Sequence, residues 1–325
     1  MAATSRLQTV IDDGLLTLPA GPVTVMRPTA DYDLSPLAGH EIRIAQGFAP
    51  DAAAFAQAGF AVTQVATAAP TMIVVVPRSK ALARSMIAQA CAGAELVIVD
   101  GQRTDGIDSL LRDVRAVLGE VPSLPKAKGR LFWFAATPAF ADWAAPAPVQ
   151  GDHGFYTTAG VFSDGAVDRG SALLAAALPE KLPARMGDLG AGWGYLAHAV
   201  LACDGVKSLD LIEAEALSLD CARLNVTDPR ATFHWADALT HTVKPKWDGI
   251  VMNPPFHTGS KGTPALGQGF IAAASRLLAP HGKLWMVANR HLPYEAALRE
   301  RFRNVGELPG DGAYKLFHAT RPIAG

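Results

Sequence analysis

Asn253, Pro254, Pro255 and Phe256 follow the strand-like run "DGIVM". Two adjacent prolines remove two backbone donors and fix two φ angles, so the chain stiffens there and cannot continue as a central strand. Read plainly, this is a rigid strand-ending turn. Its chemical use is a clamp, with the Asn253 amide and the Pro254 carbonyl held towards a ligand and the Phe256 ring beside them. A second group lies upstream. The stretch "GDLGAGWG" sets Asp188, Gly190, Gly192 and Gly194 where a strand runs into a helix. Glycines there admit a ligand to the backbone at a helix N-terminus and a sheet's carboxyl edge, although tight turns and helix starts also favour glycine. No GxxxxGK[ST] occurs, which argues against a triphosphate cradle. Glu213 ends the next strand, 19 residues past Gly194. It suits the two hydroxyls of a ribose, or a surface acid at a helix start. Asp237 follows the strand after that and suits an adenine amino group, or a helix cap. Glycine turn, acid, acid and Asn-Pro-Pro-Phe at four successive strand ends favour the joint ligand-binding reading.

These residues need a sheet to carry them. "ARMGDLGAG" leads into the helical "YLAHAVLAC", "SLDLIEA" into "EALSLDCARLNV", then come "ATFHWADA" and "WDGIVMNPPF". The helical "GFIAAASRLLAPHG", the strand "KLWMVANR" and the alternating "AYKLFHATR" close the chain, the last reading as an antiparallel edge strand. A weaker alternation precedes it: "TMIVVVP", the helical "SKALARSMIAQACAGA" and "ELVIVDG" form a βαβ pattern that implies a parallel sheet. Between the halves, residues 122–150 are rich in Pro and Ala and read as a junction around the strand-like "GRLFWFAA". The expected architecture is α/β, two tandem domains over 1–150 and 151–325.

At 325 residues, 50% apolar and 18% charged, the chain has material for two packed cores and little sign of disorder. Asp12 and Asp13 interrupt the first twenty residues where a signal peptide needs an apolar core, and no run approaches the ~18 apolar residues of a membrane span. Cys91, Cys203 and Cys221 are scattered without metal-ligand spacing, so no metal site and a reduced, cytoplasmic setting are expected. The net charge of −1 argues against wholesale nucleic-acid binding, which usually leaves a basic excess. From Arg276 onward, however, eight basic residues face four acidic ones, an RNA-facing strip or a solvated edge.

On these motifs the chain resembles the class I S-adenosylmethionine-dependent methyltransferases: "DLGAGWG" is similar to their D-x-G-x-G-x-G turn, Glu213 to their ribose-binding acid, and "NPPF" to the Asn-Pro-Pro-aromatic motif of the subset that methylates planar nitrogens. With "NPPFHTG", the segment 160–179 ("GVFSDGAVDRGSALLAAALP"), "VANRHLPY" and "YKLFHATRP", it resembles the bacterial ribosomal RNA guanine-N2 methyltransferases. The resemblance covers most of 155–322, residues 70–135 loosely, and little of 1–65. It implies two Rossmann-like methyltransferase domains, the N-terminal one a degenerate copy. "MIVVVP" there runs into "RSKALARS" with no glycine cluster to admit a cofactor. It also implies S-adenosylmethionine as cofactor, bound by Asp188, Gly190, Gly192, Gly194, Glu213 and Asp237 with Asn253 at the border. Asn253, Pro254 and Phe256 become the catalytic residues, with ribosomal RNA or the small ribosomal subunit as partner and a monomer as the assembly. An aryl amine is a poor nucleophile because its lone pair is delocalised. Accepting its N–H bonds on the Asn253 oxygen and the Pro254 carbonyl orients it and returns density to nitrogen, while Phe256 stacks on the base.

The implied reaction is methyl transfer to a guanine exocyclic amine, in 16S rRNA. The alternatives are 23S rRNA, a protein-glutamine methyltransferase, and an inactive cofactor-binding assembly factor. Ala191 stands where the family usually has cysteine, and Trp193 is bulkier than usual, reshaping the cofactor pocket or packing beneath it. His257 follows the family motif, with a structural or surface role the commoner one for such a residue.

Overall fold

Short β-branched runs bounded by turn residues become strands in both halves of the chain, and amphipathic segments between them become the helices that cover the sheets. A computed structural model describes residues 5–145, 147–161, 166–255 and 264–323. The chain divides into two units, Met1–Ala147 and Pro148–Gly325. The first holds strands β1 (Val23–Met26), β2 (Ile42–Ala45), β3 (Ala61–Thr63), β4 (Thr71–Val75), β5 (Leu96–Gln102), β6 (Ser123–Lys126) and β7 (Gly129–Ala135). Its helices are α1 (Arg6–Asp12), α2 (Ala49–Gln57), α3 (Lys80–Gly93) and α4 (Ile107–Leu118). The second opens with a hairpin, β8 (Val149–Gln150) and β9 (Tyr156–Thr157), and continues with β10 (Arg185–Leu189), β11 (Ser208–Glu213), β12 (Ala231–Trp235), β13 (Trp247–Met252), β14 (Leu278–Asn289), β15 (Phe302–Leu308) and β16 (Tyr314–Pro322). Its helices are α5 (Arg169–Ala176), α6 (Tyr195–Ala202), α7 (Ala216–Asn225), α8 (Pro264–Leu277) and α9 (Tyr294–Arg301).

The two main sheets have one topology. The first runs β3-β2-β1-β4-β5-β7-β6 and the second β12-β11-β10-β13-β14-β16-β15, the same order twice. In each, the first five strands are parallel and the sixth in the row is antiparallel to both neighbours. The chain is therefore α/β, with two tandem Rossmann-like folds. One expectation is corrected: the C-terminal strand β16 is antiparallel but lies inside the sheet, and β15 forms the edge. The run "FRNVGEL" escapes sequence reading because only Phe302 in it is buried, so it carries no apolar face.

In the second unit both faces of the sheet are covered. Ile250 and Met252 pack with Phe270 and Ile271 of α8, while Val251 between them packs with Leu196 and Val200 of α6. This is the alternation that a strand buried on both sides must show. Strand order reverses between β10 and β13, so the loops after these two neighbours open a crevice at the carboxyl edge of the sheet.

Register aligns the two units residue by residue. The last residue of β1, Met26, faces Ala45 and Val74, while the last of β10, Leu189, faces Ile212 and Met252. Val25 thus stands where Asp188 stands, Gln46 where Glu213 stands, and Val75 where Asn253 stands. This corrects the sequence comparison, which sought the glycine turn of the first unit after "TMIVVVP". That run is β4, the counterpart of β13. The counterpart of β10 is β1, in the stretch where the sequence offered little, and no glycine occurs between Gly21 and Gly39 after it.

Candidate active site

The glycine turn is shaped by left-handed backbone. Gly190, Gly192 and Gly194 have φ of 74°, 55° and 92°, a region that residues with a Cβ rarely adopt. A Cβ on Gly194 would meet Val226 at 2.9 Å, so that glycine serves packing; a Cβ on Gly192 would meet nothing within 4 Å among the described residues. Gly192 is the open position of the turn, where a ligand can lie against the backbone. The Gly190 and Ala191 amides both donate to the Ile212 carbonyl, at 2.9 and 3.1 Å, tying the turn to β11.

Glu213 completes that tie. Its Oε2 accepts from the Gly192 amide at 2.7 Å and its Oε1 from the Glu215 amide at 2.8 Å. Burial pushes its carboxyl above the usual range against the pull of these amides. Beneath the turn Asp188 is fully buried, and among the described residues neither of its carboxylate oxygens has a partner within hydrogen-bond geometry, the Ala197 amide exerting only a weak pull. Its pKa is pushed up from 3.8 to about 8, first by burial and then by the Glu213 charge. Two acids under one turn, each with its charged form disfavoured by burial, make a site that gains from a bound positive charge.

The buried carboxyl has a measurable consequence in the ligand-free protein. Below about pH 4 Asp188 is protonated whether the chain is folded or not. From there to about 8 the folded chain retains a proton that the unfolded chain has released, so folding loses stability as pH rises, and the loss levels off above that pKa. Asp188→Asn removes this term. The melting temperature of the variant minus that of the wild type should therefore climb between pH 4 and 8, and a pH-independent difference in thermal melts contradicts the assignment.

Asp237 lies two residues beyond β12. Its Oδ1 accepts from the Leu239 amide at 2.9 Å, so it does cap the local turn. Trp193 packs beneath its surroundings: it is 3% exposed, with His153 stacked on it at 5.7 Å and Phe155 at 5.1 Å. Asn225, at the end of α7, binds both the turn and the hairpin. Its Nδ2 donates to the Trp193 and Tyr156 carbonyls at 2.8 and 2.9 Å, and its Oδ1 accepts from the Tyr156 amide at 2.6 Å. The side chain thus links the glycine turn to β9.

Asn253 sits at the end of β13, across the crevice. Its Nδ2 donates to Asp168 Oδ1 at 2.8 Å and to Ser171 Oγ at 2.9 Å. A carboxylate oxygen only accepts, so the atom facing Asp168 must be the amide nitrogen, and the Asn253 oxygen points the other way. Among the described residues nothing donates to that oxygen. Asp168 is itself fixed as the N-cap of α5, its Oδ1 accepting from the Ser171 amide at 2.8 Å. Gly170 is required beside it, because a Cβ there would strike the Tyr314 ring at 2.8 Å. Pro254 is buried and Pro255 exposed. Phe256 and His257 lie outside the described residues. Sequence reading missed Asp168, Ser171 and Asn225. The first two lie in "VDRGSALL", where an Asp three residues before a Ser at a helix start signals a cap and says nothing of a distant asparagine.

Among the described residues no group of three or more His, Cys, Asp or Glu side chains could hold a metal ion, and no helix is long and apolar enough to cross a membrane. Comparison with known proteins bears on the site directly. A family model, the methyltransferase small domain, matches residues 152–318, which include every site residue named above. The ribosomal RNA small subunit methyltransferase C of Shewanella sp. (strain MR-4) is 31% identical over 261 residues, covering 76% of each chain. That of Shewanella oneidensis is 30% identical over 262 residues with the same coverage. Among solved structures, a T. thermophilus 16S rRNA N2 methyltransferase (RsmC), determined with AdoMet and guanosine, is 22% identical. It aligns over 98% of this chain and 92% of its own with a TM-score of 0.79, which shows a shared fold. With a doubled sheet order, a glycine turn over two acids, and relatives at this level of identity, the chain belongs to the methyltransferase small domain family.

Proposed function

We propose that this protein transfers a methyl group from S-adenosylmethionine to the exocyclic amine of a guanine in 16S ribosomal RNA. The observation that carries the reading is Asn253: its amide nitrogen is held by Asp168 and Ser171, which leaves its oxygen to accept an N–H from a target amine. The names of the relatives favour the small-subunit RNA over the 23S and protein-glutamine alternatives.

The residues present fit the cofactor. S-adenosylmethionine supplies a methyl group on a positively charged sulfur. The open backbone at Gly192 gives room for a ligand. The Glu213 carboxylate supplies the opposite charge, and the buried Asp188 carboxyl, protonated in the ligand-free protein up to about pH 8, joins it when a bound cation draws its pKa down. A carboxylate offers about four lone-pair sites, and two on Glu213 are taken by backbone amides, so the others remain for ribose hydroxyls. Asp237 has Oδ2 for an adenine amino group while Oδ1 holds the turn. On the substrate side, the Asn253 oxygen and the Pro254 carbonyl accept the two amine hydrogens and aim the nitrogen lone pair at the methyl carbon. Phe256 stacks on the base. The nitrogen forms its bond to the methyl as the carbon–sulfur bond breaks, and the surplus proton leaves to water, so positioning supplies most of the acceleration.

In the first unit the same places hold Val25, Gln46 and Val75, and this supports a degenerate copy over 1–150 beside a catalytic domain over 151–325. Gln46 is 1% exposed. Its Nε2 donates to the Pro28 carbonyl at 2.7 Å and its Oε1 accepts from the Phe48 amide at 2.9 Å. The bond that Glu213 accepts from the amide two residues on is thus reproduced by a neutral side chain, while the other runs in the opposite direction, from the Gln46 nitrogen to a backbone carbonyl. We place the protein in the cytoplasm as a monomer. The test is nucleoside mass spectrometry of ribosomal RNA from a deletion strain. One N2-methylguanosine should vanish from 16S rRNA and return with the wild-type gene; an unchanged modification profile refutes the reading.

A further inference from the structure

The register that aligns the sheets also aligns the segments leaving β4 and β13. Three residues beyond Val74 and Met252 stand Pro77 and Pro255, followed by Arg78 and Phe256. Where the second unit exits through Asn-Pro-Pro-Phe, the first exits through Val-Val-Pro-Arg. A concavity persists there. A cavity of about 160 Å³ opens at this edge, with Val76 and Leu110 as apolar wall and Arg78, Lys80, Thr104 and Ser109 among its polar lining. Cofactor pockets usually run to roughly 300–1,000 Å³, so this one is small for a cofactor and suits a single phosphate-sized group.

Charge selects the ligand. Lys80 is committed, its Nζ lying 2.7 Å from Asp113 and 2.9 Å from Ser109 Oγ, and Asp113 also holds Arg84 at 2.8 Å. Asp105 is the acid on the lining. Arg78 is exposed and has no ion-pair partner among the described residues. An unpaired guanidinium at the mouth of a small cavity, flanked by hydroxyl side chains, matches the planar, bidentate geometry of a phosphate.

We propose that this cavity is a docking site for the RNA backbone, in which Arg78 takes a phosphodiester of the substrate. The vestigial substrate loop has exchanged an aromatic that reads a base for a cation that holds the chain. This rests on the ribosomal RNA reading above. The test uses the full-length enzyme, 16S rRNA, and the variants Arg78→Ala and Arg78→Lys. Arg78→Ala should raise the KM for RNA about 5–10-fold, leaving kcat at saturating RNA and the cofactor Kd unchanged. It should also reduce the slope of log K against log salt by about 0.7–0.9, the equivalent of one phosphate contact. Arg78→Lys should recover most of the affinity at low salt. An unchanged KM and slope in an active Arg78→Ala enzyme overturns the docking site. So does Arg78-dependent binding of inorganic phosphate or guanosine monophosphate with RNA affinity unaltered, because the site then serves a free anion. A wild-type enzyme that methylates no rRNA refutes the underlying function instead.

Discussion

Asn253→Ala should lower turnover by about 10²–10³ or more while cofactor affinity stays nearly intact, because an oriented acceptor at a reacting centre contributes several kcal/mol. The structure sharpens this expectation. Asn253 reaches Asp168 and Ser171 through its nitrogen, so those residues act by aiming the amide. Asn253→Asp is the more telling variant. It places a carboxylate against the Asp168 carboxylate at the distance now occupied by a 2.8 Å hydrogen bond, and like charges so placed repel. Activity should fall as steeply as in the alanine variant. Phe256→Ala should act mainly on the RNA, losing base stacking, and Phe256→Tyr should be tolerated because it keeps the ring face. Single-turnover methylation of 16S rRNA together with calorimetric cofactor titration separates these effects. If Asn253→Ala abolishes cofactor binding or unfolds the second unit, Asn253 is a structural strand-end residue and the catalytic assignment fails.

Glu213→Ala should weaken S-adenosylmethionine binding by roughly 1.5–3 kcal/mol, or about 10–150-fold, the order of a lost pair of charge-assisted hydrogen bonds. Part of that loss is local. The variant frees the Gly192 and Glu215 amides and loosens the turn as well as deleting the ribose acceptor. Glu213→Gln helps to separate the two contributions. The glutamine at this place in the first unit works because its amide nitrogen meets a proline carbonyl. In the second unit both protein partners are N–H donors, and a glutamine can satisfy only one carboxamide oxygen's share of them. Its affinity should fall between wild type and alanine. Unchanged affinity in Glu213→Ala, measured by calorimetry, removes the ribose assignment.

Much of the second unit was legible because its chemistry lies in local strings. Asp188 to Gly194, Glu213 and Asn253 each end a strand, and strands buried on both faces announce themselves as apolar runs. The first unit was harder to read. Its first strand, "VTVM", is four residues long with no glycine turn to mark it, so the longer "TMIVVVP" drew the comparison to the wrong strand. Gln46 is invisible for a related reason: its importance lies in register with Ala45 and Met26, which only pairing reveals. Asp168, Ser171 and Asn225 were missed because their functional partners are distant along the chain, and side-chain convergence of that kind leaves no periodicity. Phe256 remains a reading of sequence alone.

The bond between Asp168 and Asn253 spans 85 residues, nearly half the length of the second unit. A contact of such high sequence separation forms only after the intervening chain has been brought together. During synthesis the helix bearing Asp168 emerges well before β13, and the glycine turn with its acids has emerged while Asn253 is still to come. β10, which carries that turn, pairs with β13 as well as with β11, so the folded turn and the aimed amide both wait on the strand that brings Asn253. Aiming the amide thus depends on closure of the second unit from α5 to β13.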